Sequence, residues 1–149
     1  MTINEQIIDG ATQIALTEDT VENVVIPAGK QVTIDLAGFK LSNDAEAGSE
    51  YTITNFGTLT IEDSGETGTI FNNIARKGCI VNRKGGVVKI NGGTYELNER
   101  PSTDAWYYIV NIGKSMQINS AKVIGMSPNA STVRNGFYTA QETADDYDD

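Results

Sequence analysis

Apolar and polar residues alternate in short runs along this chain, and the runs recur. Val32-Thr33-Ile34-Asp35-Leu36 is followed by Leu59-Thr60-Ile61-Glu62, then Val88-Lys89-Ile90-Asn91, then Met116-Gln117-Ile118-Asn119. A period of two sends successive side chains to opposite faces of an extended strand, so each run predicts a strand with one buried face. Their Val, Ile and Thr content favours strand over helix. Aligned, the runs give two apolar columns, Val32, Leu59, Val88, Met116 and Ile34, Ile61, Ile90, Ile118, spaced 27, 29 and 28 residues apart. A second pair, Val24, Tyr51, Gly78, Tyr107 and Ile26, Ile53, Ile80, Ile109, is spaced 27, 27 and 29. A third, more variable strand per repeat is expected at Phe39 to Leu41, Thr69 to Phe71, Thr94 to Leu97 and Lys122 to Ile124.

Gly29, Gly57, Gly85 and Gly113 lie 28 residues apart three times running and mark one corner of each repeat. Repeats of this length imply a solenoid in which each unit buries its face only against its neighbours. The expected fold is all-β, a short right-handed parallel β-helix of about four to five coils, the hand following from the preference of parallel crossovers. Residues 1–20 are expected to form an N-terminal cap, either a short helix opened by Thr2 or Asn4 with Glu5 behind it, or a partial coil in which Ile7 precedes Ile34 by 27 residues. Residues 21–126 form the β-helix proper, and residues 127–149 a C-terminal extension ending in an acidic tail.

One polar column belongs to the architecture. Asn55, Asn82 and Asn111 each follow an inward Ile by two residues, so alternation turns them inward. Stacked amides can bond to one another along a ladder and so satisfy groups that burial would leave costly. The insertions gather at the corner after the third strand, at Ser42 to Glu50, Asn72 to Lys77, Asn98 to Ala105 and Ser127 to Asn135, and loops on one side of a stack commonly carry contacts.

Composition narrows the chemistry. The 149 residues include no His and a single Cys79, which removes the usual general base, the common zinc sets and an internal disulfide. The formal net charge of -9, with Lys and Arg scattered, speaks against nucleic acid as a partner. Met1-Thr-Ile-Asn-Glu-Gln lacks the basic start and apolar run of a secretory leader, and no stretch has the length of a membrane span, so a cytoplasmic product with no membrane partner is expected. Asp35 and Glu62 share an outward column, about 5 Å apart by strand spacing, close to a retaining glycosidase pair. Neighbouring outward acids are also ordinary solvated surface, and a weak calcium site at Asp35, Glu62 or Asp63 is a further reading. No catalytic residue, metal site or cofactor is assigned. Trp106 and Tyr108 are outward candidates beside a loop, the alternative being that Trp106 folds back over the coil under the loop from Asn98 to Ala105, and with Asp145, Asp146, Asp148 and Asp149 of the tail they make up the candidate interface.

The segments from Ile26 to Leu41, Ile53 to Gly65 and Val88 to Tyr95 resemble coils of the pectate-lyase-like right-handed parallel β-helix proteins, found in bacteriophage virions and on bacterial surfaces. One such stack hosts enzymes, adhesins and purely structural parts. The Gly-His-Gly motif of polygalacturonases cannot exist in a chain without His, and the Asp145-Asp146 pair lies outside the coils. With the leader pattern missing, a short stem and no catalytic set, the expectation is a non-catalytic bacteriophage virion protein, a capsid decoration or head-fibre subunit that partners other virion proteins, with self-association as a homo-oligomer left open. A receptor- or carbohydrate-binding module is the alternative, and a polysaccharide lyase or hydrolase the third reading.

Overall fold

The computed structural model describes residues 1–98, 107–124, 137–140 and 142. The chain opens with a helix, α1 (Ile3–Ile8), and a partial turn formed by β1 (Gln13–Ala15), β2 (Thr20–Val21) and β3 (Val24–Ile26). Three complete turns follow: β4 (Gln31–Asp35), β5 (Lys40–Ser42), β6 (Ile53–Asn55); β7 (Thr58–Glu62), β8 (Thr69–Asn72), β9 (Ile80–Asn82); and β10 (Val87–Ile90), β11 (Thr94–Leu97), β12 (Ile109–Asn111). The last rung comprises β13 (Ser115–Ile118), β14 (Lys122–Ile124) and β15 (Phe137–Thr139).

Each strand pairs in parallel with its counterparts in the turns before and after, giving three five-stranded sheets around one core, a parallel β-helix. Sheet A runs β1-β4-β7-β10-β13, sheet B β2-β5-β8-β11-β14 and sheet C β3-β6-β9-β12-β15. Register in sheet A stacks Ile14, Ile34, Ile61, Ile90 and Ile118 in one inward column. Leu41, Ile70, Tyr95 and Val123 make the column of sheet B. Identical branched side chains laid over one another at strand spacing exclude water from the first rung to Ile90, which supplies the driving force that no single turn has alone.

Two expectations are corrected in register. In sheet C, Val24 and not Ile26 lies over Ile53, and Ile26 lies over Asn55. The shift is two residues, so every side chain keeps its face, and Ile26 occupies the position that asparagine takes in later turns. In the cap, Ile14 and not Ile7 pairs with Ile34, because α1 takes up the residues an extra coil would have used. Helix and partial coil therefore coexist in the cap, with strands joining the sheets from Gln13 onward.

The helix closes the N-terminal end of the stack. Thr2 and Glu5 form a reciprocal capping box, and both Glu22 carboxylate oxygens accept from the first turn, Oε1 from Ile3 N–H at 2.9 Å and Oε2 from Asn4 N–H at 2.7 Å. Asn4 covers the edge of sheet C, its Oδ1 accepting from Val25 N–H at 2.8 Å and its Nδ2 donating to Asn23 O at 2.8 Å. Ile3 and Ile7 pack into the core at 3% and 0% exposure.

Candidate functional site

The first corner, between sheets C and A, is built around the asparagine column. Asn55 Nδ2 donates to Asn82 Oδ1 at 2.9 Å, Asn82 Nδ2 to Asn111 Oδ1 at 2.9 Å, and Asn111 Nδ2 to Thr139 Oγ1 at 3.2 Å. Each amide also serves the turning backbone. Asn82 Nδ2 reaches Gly86 O and Ser115 O, while Asn55 Oδ1 accepts from Gly57 N–H and Asn111 Oδ1 from Gly113 N–H. The Gly57 and Gly113 N–H groups, which the bend takes out of the ladder of strands, thus gain side-chain acceptors.

The four corner glycines do two different jobs. Counted from sheet A, Gly29, Phe56, Gly85 and Gly113 are equivalent, whereas counted from sheet C Gly57 matches Gly113, because the corners differ in length. Gly29 and Gly85 close wide turns with φ of +85° and +84°, a region L side chains avoid. Gly57 lies in a tighter corner nested inside the wide one before it, where a Cβ would stand 2.4 Å from Lys30 O and 2.5 Å from Pro27 O. Gly113 nests likewise, a Cβ there meeting Arg83 O at 2.4 Å. Wide and tight corners alternate up the stack.

The second corner, between sheets A and B, holds the carboxylates considered for chemistry. Asp35 and Glu62 are register neighbours, yet their hydrogen bonds go elsewhere. Asp35 accepts from Ala37 N–H at 2.8 Å, Ser64 N–H at 2.9 Å and Ser64 Oγ at 2.7 Å. Partial burial raises its pKa, but the Ser64 and Ala37 donors outweigh that and hold it below its ordinary value. Glu62 accepts from Asn91 Nδ2, and Asn119 Nδ2 donates on to Asn91 Oδ1 at 2.6 Å, making a second, outer ladder. Asp63 bridges turns, accepting from Gly38 N–H at 2.9 Å and Gly68 N–H at 2.8 Å. Among the described residues no cluster of three or more His, Cys, Asp or Glu side chains could hold a metal ion. Beside Asp63 lies a polar groove of about 390 Å³, lined by Glu66, Asn91, Gly92, Thr94, Ser120 and Lys122 among others.

At the third corner the aromatic expectation is corrected. Tyr108 is fully buried in the main core, not outward, and Tyr107 lies in a separate apolar cluster with Tyr51, Val81, Val110, Ile112 and Tyr138. Thr52, Cys79 and Tyr108 each sit one residue before a sheet C strand, still in the bend, where strict alternation does not apply, and all three are fully buried. Tyr51 and Tyr107 therefore belong with the outer face of sheet C, where Val81 and Val110 are buried under this cluster and the Tyr107 and Tyr138 rings lie 5.0 Å apart. Cys79 is a buried thiol, its Sγ 3.2 Å from Ile70 O. Trp106, Asp145, Asp146, Asp148 and Asp149 lie outside the described residues. The first acid of the tail, Glu142, returns to the first corner, where its Oε2 accepts from Gly85 N–H at 2.8 Å.

Several structural polar residues escaped the sequence reading. Asn72 is fully buried, donating to Glu50 O and Thr52 Oγ1 and accepting from Ile74 N–H, and Asn43 bonds Asn73 one turn on. Asn72 follows Ile70 by two residues, the same signal that marks Asn82 after Ile80, and the signal would have found it. Asn4 and Glu22 carry no such mark, because their partners lie 18, 19 and 21 residues away across the cap.

No protein-family model matches this chain, and no similar chain is found among curated proteins or solved structures. The parallel β-helix therefore stands on the strand pairing itself.

Proposed function

We propose that this chain is a non-catalytic structural protein of a bacteriophage particle, a capsid decoration or head-fibre subunit that docks through its loops and termini. The observation that carries this reading is the engagement of the best-placed carboxylates in building the stack: Asp35 and Asp63 each accept two or more hydrogen bonds from corner residues, and Glu62 accepts from Asn91. A general acid needs a carboxyl whose pKa is raised, whereas Asp35 is shifted down and its oxygens are taken up by Ser64 and Ala37 donors, which leaves it an anchor of the corner. The coil resemblance supplies the particle context. Mass spectrometry of purified particles from the source phage tests it, with many copies per virion expected and absence from the particles overturning the proposal.

A second reading, a carbohydrate-binding module, draws on the polar groove beside Asp63, whose Asn91, Thr94, Ser120 and Lys122 offer donors and acceptors to sugar hydroxyls. Glycan-array binding lost on Asn91→Ala would favour it over the structural role.

A further inference from the structure

The two ends of the stack are finished differently. At the N-terminal end the first rung lies beneath α1, and Ile14 and Val24 of that rung are 4% and 0% exposed. At the other end β13, β14 and β15 are the outermost strands of their sheets, and no further strand pairs with them among the described residues. Their inward-register side chains stay open to water. Val123, stacked on the fully buried Tyr95, is 39% exposed, and Phe137, stacked on the fully buried Ile109, is 46% exposed. Met116 and Ile118 are only partly buried over Val88 and Ile90. A cavity of about 240 Å³ opens among Met116, Ile118, Phe137, Tyr138 and Asn111.

Charge follows the same asymmetry. From residue 105 to residue 141 the sequence contains no Asp or Glu and three cations, Lys114, Lys122 and Arg134, in a chain whose formal net charge is -9. Two copies of so acidic a protein repel over most of their surfaces, and the C-terminal rung is the part of the stack from which carboxylates are missing.

We propose that a second copy of this chain covers this end, the two stacks meeting C-terminal rung to C-terminal rung about a two-fold axis. A head-to-tail filament is blocked by α1, which already occupies the opposite end and bonds its edge through Asn4. The open end can therefore meet only its own equivalent, which gives a closed, self-complementary contact and not a fibre. The rotation sets the edge strands of the two copies antiparallel, so their outward backbone groups can pair while Met116, Ile118, Val123 and Phe137 close over one another. The inference is independent of the particle reading, since it concerns the purified chain.

Sedimentation equilibrium of the full chain over about 1 to 100 μM is the test, a range that brackets micromolar self-association. The expected result is a mass of twice 16.0 kDa in the upper part of that range. The double variant Val123→Asp with Phe137→Asp should sediment as a single chain with an unchanged strand signal in circular dichroism, while Ile8→Asp, on the 68%-exposed face of α1, should remain a dimer. A wild-type protein that is monomeric at about 100 μM, or a double variant still dimeric, overturns the proposal. A trimer, or a dimer lost on truncation after Glu142, overturns it too, placing the contact on the flanks or in the tail. Should the double variant fail to fold, wild-type amide exchange decides: protection of β13 to β15 that does not rise with protein concentration rules the contact out.

Discussion

At the residue scale, the asparagine ladder is the place where one side chain carries most. Asn82 occupies its middle, taking a bond from Asn55 and giving bonds to Asn111, Gly86 O and Ser115 O. Truncation to Ala removes four hydrogen bonds at once, each at about 0.5–1.5 kcal/mol net, so Asn82→Ala should cost about 3 kcal/mol or more in urea unfolding. Asn111→Ala, at the half-buried upper end, should cost less than half as much. The corner glycines make a sharper pair. A methyl at Gly29 meets nothing within 4 Å and suffers only the φ of +85°, a loss of about 1–2 kcal/mol, while a methyl at Gly57 overlaps two backbone carbonyls. Gly57→Ala should therefore destabilise more than Gly29→Ala although Gly57 has no left-handed φ, and equal unfolding midpoints would contradict the nested-corner geometry.

Asp35 gives the pH dependence at the same scale. Its carboxyl is held below the ordinary value of 3.8 by Ser64 and Ala37 donors, so the folded state binds its proton less readily than the unfolded chain. The stability this contributes is complete above the unfolded pKa and is lost as pH falls from about 4 through the lower folded value. Ser64→Ala removes the hydroxyl donor and leaves two backbone donors, so the Asp35 titration followed by carboxyl NMR should move up part of the way towards 3.8. An unmoved titration would show that the backbone donors alone set it.

At the scale of elements, the cap depends on two side chains that bridge it to the first turn. Asn4→Ala leaves Val25 N–H without its Oδ1 acceptor and should speed exchange of that amide while amides of β7 and β10 are unaffected. Glu22→Ala removes both carboxylate contacts at the start of α1, at a cost of about 1 kcal/mol by the scale of N-terminal capping. Neither bridge can be read along the chain, for each joins residues about a turn apart with no periodic mark. What periodicity does carry is parity. Ile34, Ile61, Ile90 and Ile118 face inward as their alternation demands, and the two-residue slip that set Ile26 against Ile53 left the faces of Val24, Ile26, Ile53, Ile80 and Ile109 correct. Parity fails where the chain bends, which is why Tyr108, one residue ahead of β12, points into the core while Tyr107 joins the outer cluster. The ladder of Asn55, Asn82 and Asn111 was legible because it lies inside strands; the anchoring roles of Asp35 and Asp63 were not, because their partners are corner amides set by turn geometry.

At the scale of the whole molecule, a stack in which each turn touches only its neighbours distributes stability unevenly. Interior rungs gain two interfaces and end rungs one, so local opening should begin at the ends and cost more towards the middle. The two ends of this stack are not equivalent. Closing by α1 gives the first rung a second interface, with Ile3 and Ile7 buried and the sheet C edge bonded by Asn4, whereas Val123 and Phe137 leave the last rung with one. Amide exchange of a dilute sample should therefore be lopsided: strongest protection in β4, β7 and β10, intermediate protection in β1 and β3, and fastest exchange in β13, β14 and β15. Protection should fall steeply from β10 to β13 although the two share a four-residue register, because Met116 and Ile118 are wetter than Val88 and Ile90. A symmetric profile would mean that α1 does not act as a lid. Lopsidedness in the opposite sense would mean that the carboxylate-free rung is sealed within the single chain, and the C-terminal end would then need no second copy.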